Sequence, residues 1–251
     1  MKIIISPAKT MRVDREAYEV KGLPRFLEET RILMEAIKKL SFDEAKRLWK
    51  CSDKLTELNV QRFAEMDLEK GLTPALFSYE GLQYQNMGPG VFSCGALTYI
   101  RARLRILSGF YGILGPFDGV VPYRLEMQAK LSVDGCKDLY QFWGGKIYEA
   151  IADECGETEP FTILNLASKE YSQVIKPYVG PECRFVTVDF GELVGGKVKQ
   201  KATPAKMARG DMVRFLAEGN ITDVEGVKNY TGFGFQYSEE LSERDRLVFV
   251  K

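Results

Sequence analysis

Histidine is absent from the 251 residues of this chain. A Ser-His-Asp or Cys-His arrangement is therefore excluded, as is any zinc site with a histidine ligand. Acid–base chemistry, if there is any, falls to Asp, Glu, Lys, Tyr or Cys. Cysteine is sparse: Cys51, Cys94, Cys136, Cys155 and Cys183 are odd in number, far apart and without a C-x-x-C pair. That speaks against a disulfide framework and for small buried apolar side chains. No apolar run is long enough for a membrane span. The isoleucines of the opening MKIIISPAKT also fall short of a signal peptide's apolar core, so a cytoplasmic protein with no membrane partner is expected. Net charge is zero, with 35 basic and 35 acidic residues, which gives no global signature of a nucleic-acid binder. Linkers, low-complexity tracts and internal repeats are missing too, so residues 1–251 read as a single domain of ordinary globular composition.

What is present is uneven. Residues 104–127, LRILSGFYGILGPFDGVVPYRLEM, are too apolar for a loop and too rich in glycine and proline for an ordinary helix. Gly109, Gly112, Gly115 and Gly119 among aromatic and aliphatic side chains point to backbone bends or close backbone approach inside a core. The run ends in Tyr123-Arg124-Leu125-Glu126, where charges alternate with residues that belong inside. Charges beside a core are usually paired or used. An ion pair of Arg124 with Glu126 and a ligand contact are both open readings.

Hydrophobic periodicity predicts a strand over 2–5, a helix over 24–40, a second over 42–50 and a third ending near 66. A strand is expected over 75–79, a helix turning to strand near Ile106, and a helix over 139–155. Core strands are expected over 161–166 and 184–189 with a short helix over 168–175 between them. A strand over 196–202, a helix over 203–218 and strands over 230–237 and 247–250 complete the chain. This is an α/β (mixed α+β) pattern: a mixed sheet surrounded by helices, with a basic cleft.

The clearest chemical signal is GGKVKQKATPAKMARG. In a strand, Lys197, Lys199 and Lys201 share one side. Thr203 as N-cap and Pro204 as first helical residue would place Lys206 and Arg209 in the first turns, beside free backbone N–H groups. Residues 197–214 hold six bases against the single acid Asp211, while acid gathers in 149–159 and 238–243. A phosphate-bearing partner is expected, against a solvated basic edge. Two strand ends add polar groups, Ser6 to Thr10 and Asn165 to Ser168, with Ser168 also readable as a helix cap. Arg101, Arg103 and Arg105 form a second basic group. Residues 53–63 follow the pattern of a helix-hairpin-helix, a backbone-binding DNA motif. Glu57 replaces the usual glycine, which favours plain helix–helix packing.

With these segments laid out, the chain resembles the YaaA family of bacterial peroxide-stress proteins. The likeness is carried by ISPAKT (5–10), SDKL (52–55), Arg62-Phe63, LRILSGFYGIL (104–114), PYRLEM (122–127) and LYQFWG (139–144). It continues through NLAS-x-EY (165–171), AKMARG (205–210) and TGF (231–233). The chain departs from the family at Gly115-Pro116, where Arg-Pro is usual, at 204–210, which lacks a tyrosine and a lysine, and at Asn86-Met87 in place of Gly-Leu. The resemblance implies a cytoplasmic protein that limits peroxide damage, binds DNA through a basic cleft and lowers free iron. With no histidine and no clustered cysteine, a metal site held by the chain is not expected, nor is a cofactor.

Two functions compete. In the leading one, Lys9, Lys54, Arg62, Arg105, Arg124, Lys197, Lys199, Lys206 and Arg209 line a positive cleft that holds DNA phosphates without reading bases. In the other, Ser6, Lys9, Tyr84, Arg124, Glu126, Asn165, Ser168 and Lys206 form the pocket of an enzyme acting on a nucleotide or other small phosphorylated ligand. No reaction is legible, so a non-enzymatic DNA-binding stress protein is favoured. A closed pocket around Arg124 and Asn165 would favour the enzyme; a trough as wide as a duplex would favour DNA.

Overall fold

The computed structural model describes residues 1–251 apart from residues 15, 17 and 157–159 and the side chain of residue 197. Part of the acidic stretch 149–159 therefore lies outside the described residues. Strand β1 (Lys2–Ile5) carries three fully buried isoleucines and is followed by the two-residue β2 (Thr10–Met11). Helix α1 (Leu27–Lys38) buries Leu33, Met34 and Ile37 and carries Glu28 and Glu29 in its first turn, where the macrodipole favours acid. Helix α2 (Phe42–Trp49) opens with a capping box between Ser41 and Glu44 and ends at Lys50 in the left-handed conformation. Helix α3 (Asp53–Ala64) follows. Residues 53–63 are thus one continuous helix packed on α2, not a hairpin between two helices.

Next come β3 (Thr73–Pro74), α4 (Ala75–Ser78) and β4 (Tyr79–Glu80). The strand expected over 75–79 is corrected to a helical turn, all of it buried; four apolar residues in a row have no period that separates strand from helix. After α5 (Leu82–Met87) and α6 (Cys94–Arg103), the helix gives way directly to β5 (Leu104–Ser108). Strands β6 (Gly112–Leu114) and β7 (Gly119–Val120) follow. The helix expected over 139–155 is two, α7 (Leu139–Trp143) and α8 (Lys146–Asp153), broken at Gly144 with φ 49°. The chain continues through β8 (Phe161–Asn165), α9 (Lys169–Ser172), β9 (Cys183–Val194), β10 (Lys197–Lys199) and α10 (Ala202–Glu218). It closes with α11 (Val224–Val227), β11 (Gln236–Tyr237) and β12 (Arg246–Val250). A 3₁₀ turn over Gly232–Gly234 interrupts the strand expected over 230–237, leaving only Gln236–Tyr237 as β11.

One mixed sheet runs in the order β11-β12-β9-β8-β1-β5-β6, with β10 paired to β9. Its centre is parallel, from β12 through β9, β8 and β1 to β5, and antiparallel strands finish both edges. Helices flank it, which is the expected α/β class. Among the described residues no helix is long and apolar enough to cross a membrane.

The glycine-aromatic run lies at the β5–β6 connection. Ser108 Oγ accepts from the N–H groups of Phe110 and Tyr111, closing a buried turn. Trp143 Nε1 donates to Gly109 O at 3.1 Å. A Cβ on Gly109 would lie 2.6 Å from Leu125 O, so only glycine lets residues 125–127 cross this turn. That crossing carries Arg124 and Glu126 toward the end of the sheet where β1 and β8 finish.

Asp118 tightens the neighbouring turn, its Oδ2 accepting from Gly115 N at 2.7 Å. Burial pushes its carboxyl up to about 6. The folded state therefore favours the neutral form, and the associated stability, present below pH 4, is lost as pH rises through about 6. Asp118→Asn should gain roughly 2–3 kcal/mol relative to the parent between pH 4 and pH 7.5. Urea unfolding of both proteins at the two pH values checks this; a pH-independent difference would refute it.

Candidate functional site

The loops that leave the C-terminal ends of β1 and β8 meet over the sheet, the position where open α/β sheets hold ligands. Ser6 ties them together: its Oγ accepts from Ser168 N at 2.8 Å and donates to Ser168 Oγ at 3.2 Å. Tyr84 on α5 donates its hydroxyl to Ser6 O at 3.0 Å. Around this junction lies a cavity of about 520 Å³, walled by residues 6–10, 80–84 and 123–126, by Ser168, Glu170 and Tyr171, and by Lys206 and Arg209 of α10.

Its floor is aromatic and neutral. Tyr123 OH lies 2.8 Å from Tyr79 OH and 2.6 Å from Ser108 Oγ. Burial pushes the Tyr123 hydroxyl up to about 12 and holds those of Tyr79, Tyr84 and Tyr171 well above the ordinary tyrosine value. Above the floor the groups are charged. Lys9 Nζ pairs with Glu126 Oε1 at 2.8 Å, and Arg124 Nη2 reaches the same oxygen at 3.4 Å. Lys9 is largely in solvent, while the Arg124 side chain is only 14% exposed.

Three donors here have no hydrogen-bond partner: Arg124 Nε, Arg209 Nε and Gln83 Nε2, all buried. Gln83 as a whole is 7% exposed. A buried donor without a partner costs on the order of 1–3 kcal/mol, more when it is charged. Only two other side-chain atoms among the described residues share this condition, Trp49 Nε1 and Asn59 Oδ1, so unmet donors concentrate at this cavity. Burial lowers the Arg209 pKa, and the charge of Asp189 on β9 works in the opposite direction.

The sequence-predicted cations divide. Lys9, Arg124, Lys206 and Arg209 line the cavity, as do Ser6, Tyr84, Glu126 and Ser168. Arg105 does not: it sits near the N-terminal end of the parallel strands, where its Nε bonds Glu154 Oε1 at 2.9 Å and Lys2 joins the same carboxylate. Lys54 and Arg62 lie on α3 and Lys199 on β10, none of them among the lining residues. The side chain of Lys197 lies outside the described residues. Asn165 is buried beneath the site, its Oδ1 accepting from Ala167 N at 3.0 Å, so it shapes the turn after β8 and does not line the cavity.

The helix N-terminus argument is also corrected. Lys201 is the N-cap of α10 and α10 begins at Ala202, so Lys206 and Arg209 stand in its second and third turns. They face the cavity because they are three apart on one side of the helix, not because of free N–H groups. Ser168 is at the N-cap position of α9, yet its side chain makes no cap bond and is spent on Ser6.

Sequence reasoning missed Gln83, Tyr123 and Glu170 as lining residues. The alternation of apolar and charged residues over 123–126 could have found Tyr123. Glu170 lies two residues beyond Ser168, inside the NLAS-x-EY segment. Gln83 carries no local signal; its position is fixed by Gly210, where a Cβ would lie 1.9 Å from Gln83 O.

A family model described as "Peroxide stress protein YaaA" matches residues 1–241. A UPF0246 protein of Lachnoclostridium phytofermentans is 50% identical over 251 residues, covering 100% of this chain and 96% of the relative. UPF0246 proteins of Lactiplantibacillus plantarum and Pediococcus pentosaceus are 48% and 46% identical, covering 100% of this chain and 99% and 98% of the relatives.

Proposed function

We propose, for a chain that belongs to the family of peroxide stress protein YaaA, that its stress role is carried by the binding of one phosphate-bearing, nucleotide-sized ligand in this cavity. The observation behind this is the set of unpartnered donors on Arg124, Arg209 and Gln83. Phosphate oxygens would supply the missing acceptors once these side chains turn toward the cavity, and charge-assisted bonds to arginine are the strong ones. A volume of about 520 Å³ is that of a small-molecule pocket, within the usual range of roughly 300–1,000 Å³.

DNA enters as a second reading through the same site. Lys9 and Lys206 are exposed at the rim, so a strand could insert one nucleotide and rest its flanking phosphates on them, as enzymes that extrude a base do. Limitation of iron-dependent damage and a cytoplasmic setting belong to the same proposal. The five free cysteines support the setting.

Calorimetric titration separates these cases. Nucleoside 5′-monophosphates should bind at least about 30-fold more tightly than the matching nucleosides, from charged hydrogen bonds of roughly 1.5–3 kcal/mol each. Equal binding of both, or of neither, would remove the proposal. If DNA binds, its log–log salt slope should be no steeper than about −4, as four cations allow; a steeper slope would require a wider basic surface.

A further inference from the structure

Two carboxyl groups of the cavity have no part in holding a phosphate, and their surroundings differ. Glu126 meets two cations, Lys9 and Arg124. Glu170, across from it, accepts from Gln128 N at 3.2 Å and is in no ion pair among the described residues. Burial holds the Glu170 carboxyl above its ordinary value; Glu126 adds to this, while the N–H groups of Gln128 and Met127 and the charge of Lys9 oppose it. A carboxyl group free of ion pairs beside one held by two cations gives the unlike pair of carboxyls by which glycosidic bonds are cut.

Elimination points the same way. The chain has no histidine, and the tyrosines at the cavity hold their protons too firmly to trade them near neutral pH. Attack at phosphorus beside Glu126 would bring negative charges together. An oxocarbenium ion, by contrast, develops positive charge that a carboxylate stabilises.

We infer that the cavity hydrolyses the N-glycosidic bond of a nucleoside 5′-monophosphate, with Glu170 as general acid and Glu126 as the carboxylate facing the sugar. This rests on the phosphate-binding reading, with Arg124 and Arg209 holding the 5′-phosphate. As the bond between C1′ and the base breaks, its electron pair leaves with the base, which takes the Glu170 proton. Water adds its oxygen to C1′ and gives one proton to Glu126, and that proton returns Glu170 to its acid form through solvent. One water is consumed, and free base and sugar phosphate are formed. No oxidant or reductant is needed.

The experiment incubates the protein with ribo- and deoxyribonucleoside 5′-monophosphates, an 8-oxopurine nucleotide among them, and measures free base by chromatography. Binding of the same nucleotides is followed in parallel by calorimetry. The wild type should release base. Glu170→Gln and Glu126→Gln should each bind nucleotide within about threefold of the parent yet release base about 10²–10⁴-fold more slowly. Nucleotide bound with no base released would overturn the hydrolytic step and leave the binding reading standing. No nucleotide bound would overturn both. Base release by both variants at the parent rate would also overturn the assignment.

Discussion

Gly210→Ala should destabilise the protein by about 2–4 kcal/mol, against the roughly 1 kcal/mol that alanine ordinarily gains over glycine inside a helix. The missing side chain lets α10 lie directly on α5: a Cβ at this position would sit 1.9 Å from Gln83 O and 2.8 Å from Gln83 C. Those are backbone atoms, so no rotamer change relieves the overlap and one helix must move. The movement would carry Gln83 on one side and Lys206 and Arg209 on the other, so ligand binding should fall with stability. Gly95→Ala is the matched control. Gly95 is also helical, but its Cβ would meet nothing closer than Ser93 Oγ at 3.9 Å, and the substitution should be neutral or stabilising by up to about 1 kcal/mol. Urea unfolding of the two variants decides the matter; similar effects at both positions would show that α5 and α10 are not held by this contact.

Arg209→Met should separate stability from function. In the free protein the guanidinium is largely buried, its Nε has no partner, and burial lowers its pKa. A methionine fills similar length without the desolvation cost. The free variant should therefore be more stable by about 1–3 kcal/mol, as when a poorly satisfied buried charge is replaced by an apolar side chain. Its affinity for a nucleoside 5′-monophosphate should drop about 30- to 1,000-fold, which corresponds to the roughly 2–4 kcal/mol of a buried charged hydrogen-bond partner. Thermal unfolding without ligand and calorimetry with it test the two halves. Unchanged affinity would remove Arg209 from the site. A loss of stability in the free protein would show that Asp189 already satisfies the guanidinium.

The elements that depend on local chemistry were legible in the sequence: KIII as a buried strand, the second helix over 42–50, and the switch from helix to strand near Ile106. The alternation over Tyr123 to Glu126 also placed Arg124 and Glu126 beside the core, while leaving an ion pair and a ligand contact equally open. What was not legible depended on distance. Lys206 and Arg209 line the cavity, but from the second and third turns of α10, because sequence spacing cannot say which neighbour a helix face meets. Arg105 was misassigned because a cationic cluster along the chain says nothing about which end of a sheet each member reaches; Glu154, its partner, is far away in sequence. Residues 75–78 and the break at Gly144 failed for opposite reasons. The first are an apolar run too short to show a period, and the second is a run whose amphipathic pattern continues through a glycine that takes φ 49°. Glu170 and Gln83 were missed because each becomes a cavity residue only through elements packed from elsewhere.

The place of β1 in the sheet bears on how the protein comes to be folded. Ile3 pairs with Leu104 on one side and Leu164 on the other, so this strand has no local partner and must wait for two distant stretches of chain. Until then its three isoleucines are an unpaired, strongly β-forming segment open to association with other chains. Parallel pairing at such separation is slow, because loop closure comes before any reward in contacts. The cavity, framed by the loops that leave β1 and β8, can exist only after that late step. Nascent molecules would therefore complete the cavity only after their local helices have formed.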